Sequence, residues 1–193
     1  MKLKALILGT VLAAATLPAA AHTQIYQGQL RDEVGTLSSG TGFARVTIDL
    51  DLETMRVEFN FSGLTGNTTA SHIHCCTTNP GTGNAGVATE VPSFPFPLGV
   101  TSGSFDETFD LTDPNTFNTT PTTGFLATSG GTAALASARL ILGLDANKAY
   151  LNIHTSAFPG GEIRALLAPV PLPAAVWLMA SALGGLALRR RVA

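Results

Sequence analysis

The segment Ala149–Leu167, AYLNIHTSAFPGGEIRALL, constrains this chain more than any other. In its first half Ala149, Leu151 and Ile153 alternate with Tyr150, Asn152 and His154, the period-2 pattern of a strand with one buried face. Phe158-Pro159-Gly160-Gly161 then supplies a fixed φ followed by two residues that tolerate φ > 0, so the chain can reverse within a few residues. In the second half Ile163, Ala165 and Leu167 share a face, and Glu162 and Arg164 begin the other, where a surface ion pair is expected. The segment therefore reads as an antiparallel hairpin with a histidine on its polar face.

Other strands follow from the same alternation. Gln24–Arg31 is a weak candidate, with Tyr26, Gly28 and Leu30 on one side. Phe43–Asp51 is clearer: Val46, Ile48 and Leu50 alternate with charged and polar residues, and after a turn at Leu52-Glu53 the residues Val57, Phe59 and Phe61 do the same. In Ala70–Cys76, His72, His74 and Cys76 share one face and Ser71, Ile73 and Cys75 the other. Gly103–Leu111 reads as a further strand. Thr132–Leu144 is rich in Ala and Leu without a wet alternation, and is expected to be the one helix. Between them Thr77–Pro97 is a long loop dense in Pro and Gly, a length uncommon in a compact domain unless it has a role. Within it, Phe94 and Phe96 are expected either on an exposed apolar loop or on a lid over the core. The expected fold is mainly β, a Greek-key β-sandwich of about seven strands with one short helix.

Both ends read as processing segments. Lys2 and Lys4 precede an apolar run, and Ala19-Ala20-Ala21 is a small-x-small site, so residues 1–21 read as a signal peptide cleaved between Ala21 and His22. At the other end Ala174–Leu188 has no charge and meets Arg189-Arg190-Arg191. As a helix that stretch spans roughly 22 Å, short of the roughly 30 Å bilayer core, a marginal transmembrane-type helix. The arginines should stay cytoplasmic, which puts the domain at 22–169 on the far side of the inner membrane. The terminal Lys and Arg residues take five of the eleven basic side chains, leaving six against thirteen acidic ones in the domain. That acidic balance argues against nucleic acid as a partner.

Two stretches together carry a family resemblance. Ser71-His72-Ile73-His74 with the later Gly83-Asn84-Ala85-Gly86-Val87, and Asn152-Ile153-His154-Thr155 with Phe158-Pro159-Gly160-Gly161-Glu162-Ile163-Arg164, resemble the CHRD (chordin-type) domain over roughly Gln24–Leu167. The C-terminal residues 170–193, with Val170-Pro171-Leu172-Pro173, an apolar stretch and Arg189-Arg190-Arg191, resemble a PEP-CTERM sorting signal in a VPLP variant. That resemblance implies processing by signal peptidase and an exosortase-type enzyme in an exopolysaccharide-producing Gram-negative bacterium. It also implies transient anchoring in the inner membrane and then the cell surface or extracellular matrix.

Among chemistry-bearing groups the histidines stand out. His72 and His74, at i and i+2 on one strand face, place their rings about 6–7 Å apart. With His154 from a neighbouring strand they would form a three-nitrogen site suited to copper or zinc. The HxH strand is similar to that of copper/zinc superoxide dismutase, although four histidines cannot build a dinuclear centre. The structural alternative is that these histidines hydrogen-bond loop backbone. His22, as the new N-terminus, could chelate copper through its amine and ring, as in lytic polysaccharide monooxygenases. No nucleophile elbow or serine triad is present, and Asp106, Glu107, Asp110 and Asp113 lack calcium-loop spacing, so no catalytic residue is assigned. Cys75 and Cys76 are adjacent, and a strained ring, buried thiols, a metal or an interchain bond all remain open. The expected function is a non-enzymatic exported module that binds polysaccharide or a surface protein. The alternative is a copper or zinc redox protein using His72, His74 and His154.

Overall fold

The computed structural model describes residues 22–90 and 93–171. The strands are β1 (Thr23–Asp32), β2 (Thr41–Asp49), β3 (Thr54–Ser62), β4 (Thr68–Cys75), β5 (Gly103–Asp110), β6 (Ala149–Thr155), β7 (Ile163–Leu166) and β8 (Ala168–Pro169). The helices are a single turn, α1 (Phe125–Thr128), and the longer α2 (Ala133–Asp145). Mainly β with one real helix is as the sequence predicts, but the strand count is eight. The strands join into one curled antiparallel sheet, in the order β4-β6-β7-β1-β2-β3-β5 with β8 paired to β1, whose two flanks share one apolar core, a sandwich-like arrangement in place of the separate sheets of the expected Greek-key sandwich.

The join between the two flanks of the curl is β1. Thr23–Leu30 pair with β2, while Arg31 and Asp32 pair with β7 and Tyr26 and Gln27 with β8. Gly28 makes this crossing possible, because a Cβ there would fall on the Leu166 carbonyl. That explains the weak alternation of β1: one position is reserved for a close backbone approach.

Apolar residues from both flanks meet in a single cluster, with Val46, Val57, Ile73, Leu151, Ile153 and Ile163 all fully buried. Helix α2 lies against it through Ala136, Leu140 and Leu144. Its start is fixed by Thr132, whose hydroxyl accepts from Leu135 N at 3.3 Å.

The described residues of the long loop after β4 do not project. They run along the free edge of β4: Cys75 N donates to Gly86 O (3.1 Å), Ala88 N to Ile73 O (2.8 Å) and Phe94 N to Ser71 O (3.0 Å). An otherwise bare sheet edge is thereby covered. Phe94 and Phe96 are buried against Phe59 and Phe105, the lid alternative of the two expected from sequence.

Cys75 and Cys76 form a disulfide with each other. The ring packs on Gly143 of α2, where any Cβ would meet both sulfurs. The expected segment 1–21, Leu172, Pro173 and Arg189, Arg190 and Arg191 lie outside the described residues. Among the described residues no helix is long and apolar enough to cross a membrane.

Candidate metal centre

Strands β4 and β6 pair with His72 opposite Asn152, His74 opposite Tyr150 and His154 opposite Ala70. His154 is thus the diagonal neighbour of His72 on the same pleated face, and the small Ala70 leaves its ring room to lean across. The three rings converge: centroids are 5.8 Å apart for His72 and His74, 5.3 Å for His72 and His154, and 5.8 Å for His74 and His154. One ligand nitrogen from each lies within 4.8 Å of the others, the only such group of three among the described residues.

Main-chain acceptors orient two of the rings. His74 Nδ1 lies 2.9 Å from Ala85 O, and His154 Nδ1 lies 2.8 Å from Pro159 O. A carbonyl can only accept, so each Nδ1 carries the proton and each Nε2 of the neutral ring presents a lone pair. Both Nε2 atoms are buried and without a hydrogen-bond partner. Burial pushes His74 down to about 4; its bond to Ala85 opposes this, and the charges of His72, His154 and Arg164 reinforce it. At neutral pH the His74 ring is therefore uncharged.

A second ring of groups supports the face. The Tyr150 ring stacks on His74 at 4.8 Å and 4°. Arg164 lies 5.2 Å from the Tyr150 centroid and pairs with Glu33 at 2.9 Å. Asn152 Nδ2 donates to the other Glu33 oxygen at 3.0 Å. Burial raises the Glu33 pKa, and Arg164 pulls against it. A cleft of about 620 Å³ adjoins the triad, lined by Glu33, Asn84, Tyr150 and Arg164 among others.

Arg164 therefore does not pair with Glu162, contrary to the expectation from alternation. Glu162 is fully buried and accepts from Ser38 Oγ (2.6 Å), Thr65 N, Gly66 N (3.1 Å) and Thr155 Oγ1 (2.7 Å). His22 is also elsewhere: its ring contacts Asp51 Oδ1 at 3.1 Å and its main-chain N donates to Asp51 Oδ2, so both would-be chelating groups face a carboxylate. Asp106 receives Arg56 through two bonds of 2.7 and 2.6 Å. Val170 and Pro171 follow β8, with Val170 N donating to Ile25 O at 2.8 Å.

Three imidazoles without a carboxylate or thiolate suit zinc or copper and exclude the oxygen-seeking calcium and magnesium. Nitrogens about 2.1 Å from a tetrahedral zinc stand about 3.4 Å apart, so the widest pair, at most 4.8 Å, closes by no more than about 1.4 Å. The bonds from His74 and His154 to loop backbone are those of the structural alternative; which carbonyls accept, Ala85 and Pro159, is not readable from sequence because no residue type marks them. A family model described as the CHRD domain matches residues 26–167, and no curated protein and no solved structure matches the chain.

Proposed function

The chain belongs to the CHRD-domain family, and from that premise we propose that it is a non-enzymatic binding module whose centre holds one zinc or copper ion through His72, His74 and His154. Family membership indicates a binding module at the coarse level. What carries the metal is one observation: the Nε2 atoms of His74 and His154 are buried, oriented by main-chain carbonyls and unpartnered, beside the ring of His72. A buried acceptor without a partner costs free energy, roughly 1–3 kcal/mol, and a metal ion removes that cost.

Elemental analysis of untagged protein from the periplasm tests this. About one zinc or copper per chain is expected, retained through dialysis and lost in a His72→Ala, His74→Ala double variant. Equally low metal in both proteins overturns the reading, and a copper-loaded protein with dismutase activity would replace it with the redox alternative.

The route outward is the second part of the proposal. A signal peptide cut between Ala21 and His22 and a sorting signal spanning Val170, Pro171, Leu172, Pro173 and Arg189–Arg191 would deliver the domain to the surface or matrix. Signal peptidase and an exosortase-type enzyme would be its processing partners, and polysaccharide or a surface protein its neighbours. Deleting residues 170–193 should change where the protein accumulates, and unchanged localisation would count against the sorting signal.

A further inference from the structure

We infer that Tyr150 and Arg164 are positioning residues for the histidine centre, acting through the loop that contains Ala85. This rests on the triad being a metal site. Ala85 O is the atom that receives His74 Nδ1, so where Ala85 lies decides which His74 nitrogen faces the metal. Residue 85 belongs to a loop with little stiffness of its own, flanked by Gly81 and Gly83 with φ of 70° and 84° and by Gly86. Main-chain bonds to β4 pin the loop from Gly86 onward, Cys75 N donating to Gly86 O at 3.1 Å, and side chains from the sheet hold the residues before it.

Tyr150 holds Ala85 from both sides of its peptide. Ala85 N donates to the phenol oxygen at 3.2 Å, and the phenol donates to Ala85 O at 3.3 Å. The same ring stacks on His74, so one side chain fixes both the imidazole and the carbonyl that orients it. Arg164 grips the loop two residues earlier: Nη1 donates to Gly83 O and to Asn84 Oδ1, each at 3.2 Å. Its guanidinium is held in turn by Glu33, which Asn152 steadies. The chain of contacts runs from the sheet through Arg164 and Tyr150 to the loop, and from Ala85 to His74. Neither residue needs to touch the ion. Groups that orient a ligating histidine through its other nitrogen typically change metal affinity 10–100-fold.

Two variants test the inference. Tyr150→Phe keeps the stacked ring and removes only the hydroxyl; Arg164→Lys keeps the charge on a shorter side chain and removes Nη1, the guanidinium nitrogen that reaches Gly83 and Asn84. Zinc affinity is measured against a competing chromophoric chelator, and the His74 ring N–H is followed by NMR in the metal-free protein. The expected result is one zinc per chain in all three proteins, a 10–100-fold weaker affinity in the variants, and a slowly exchanging His74 Nδ1 proton that becomes fast-exchanging in Tyr150→Phe. Should Tyr150→Phe fail to fold, Arg164→Lys carries the same comparison. Wild-type affinity and an unchanged ring proton in the folded variants would overturn the positioning role and leave the metal site standing. A wild-type protein that binds no zinc or copper would overturn the metal site and the positioning role together.

Discussion

Thr155 Oγ1 donates to Glu162 Oε2 at 2.7 Å across the turn between β6 and β7. Both residues are fully buried. With Ser38, Thr65 and Gly66 also donating, the carboxylate ties three separated loops into one bundle at the end of the sheet that carries His154.

Replacing that carboxylate should be costly. Glu162→Gln turns one acceptor into an NH2 group facing donors, and Glu162→Ala leaves two backbone N–H groups and two hydroxyl protons without their acceptor. Charge-assisted bonds of this kind are worth about 1.5–3 kcal/mol each, and they are not additive. A loss of roughly 3–5 kcal/mol is expected for Glu162→Ala and a smaller one for Glu162→Gln, whose remaining oxygen still accepts, read as a lower urea midpoint at unchanged slope. A loss under 1 kcal/mol would show that water can replace the carboxylate.

The same residue predicts an acid limb. Burial alone would raise the Glu162 pKa, but the bonds from Ser38, Thr65, Thr155 and Gly66 outweigh it and hold the pKa below the ordinary 4.5. A carboxylate with a native pKa below its unfolded value stabilises the fold above the unfolded pKa, and that contribution fades as pH falls through the native one. The Glu162 contribution should therefore be steady near neutrality and fade once the pH drops below about 4.5, on top of a separate loss from His74, whose depressed pKa costs stability as the pH falls from its ordinary 6.5 towards about 4. In Glu162→Gln the acid limb should be shallower, measured by urea melts across that range. Parallel limbs in the two proteins would assign the acid sensitivity to other groups, His74 among them.

How much of this was legible beforehand depends on the distance over which each contact acts. The strands were readable because period-2 alternation is local, and His72, His74 and His154 could be grouped because strand spacing sets which side chains share a face. Glu162 was not readable. Alternation puts it on the wet face, and only Ser38, Thr65 and Gly66, about a hundred residues away in sequence, bury it. The joining of the two flanks into one sheet was equally hidden, because it depends on β1 bending past Leu166 at Gly28 and on a two-residue strand that ends in Pro169.

Gly143 sets two effects against each other. An alanine in the last turn of α2 gains at most about 1 kcal/mol of helix propensity over glycine, but its Cβ would meet the sulfurs of both Cys75 and Cys76. Overpacking of a filled site costs about 1–3 kcal/mol, and the disulfide ring has few ways to move aside. Gly143→Ala should therefore be net destabilising, seen as a lower thermal midpoint. A stabilised variant would mean that α2 can slide off the ring.

Metal should stabilise the native chain in proportion to its free concentration, because the triad exists only when β4 and β6 are paired. At free zinc a hundredfold above the dissociation constant the gain is about 2.7 kcal/mol. For a domain of this size each kcal/mol moves the thermal midpoint by roughly 2–4 °C, so saturating zinc should raise it by roughly 5–10 °C. His74→Ala will start from a lower midpoint, having lost a buried ring stacked on Tyr150, so the quantity to compare is the zinc-dependent increment in each protein. That increment should nearly vanish in His74→Ala and shrink in His154→Ala. An equal increment in all three proteins would place the stabilising metal somewhere other than the histidine triad.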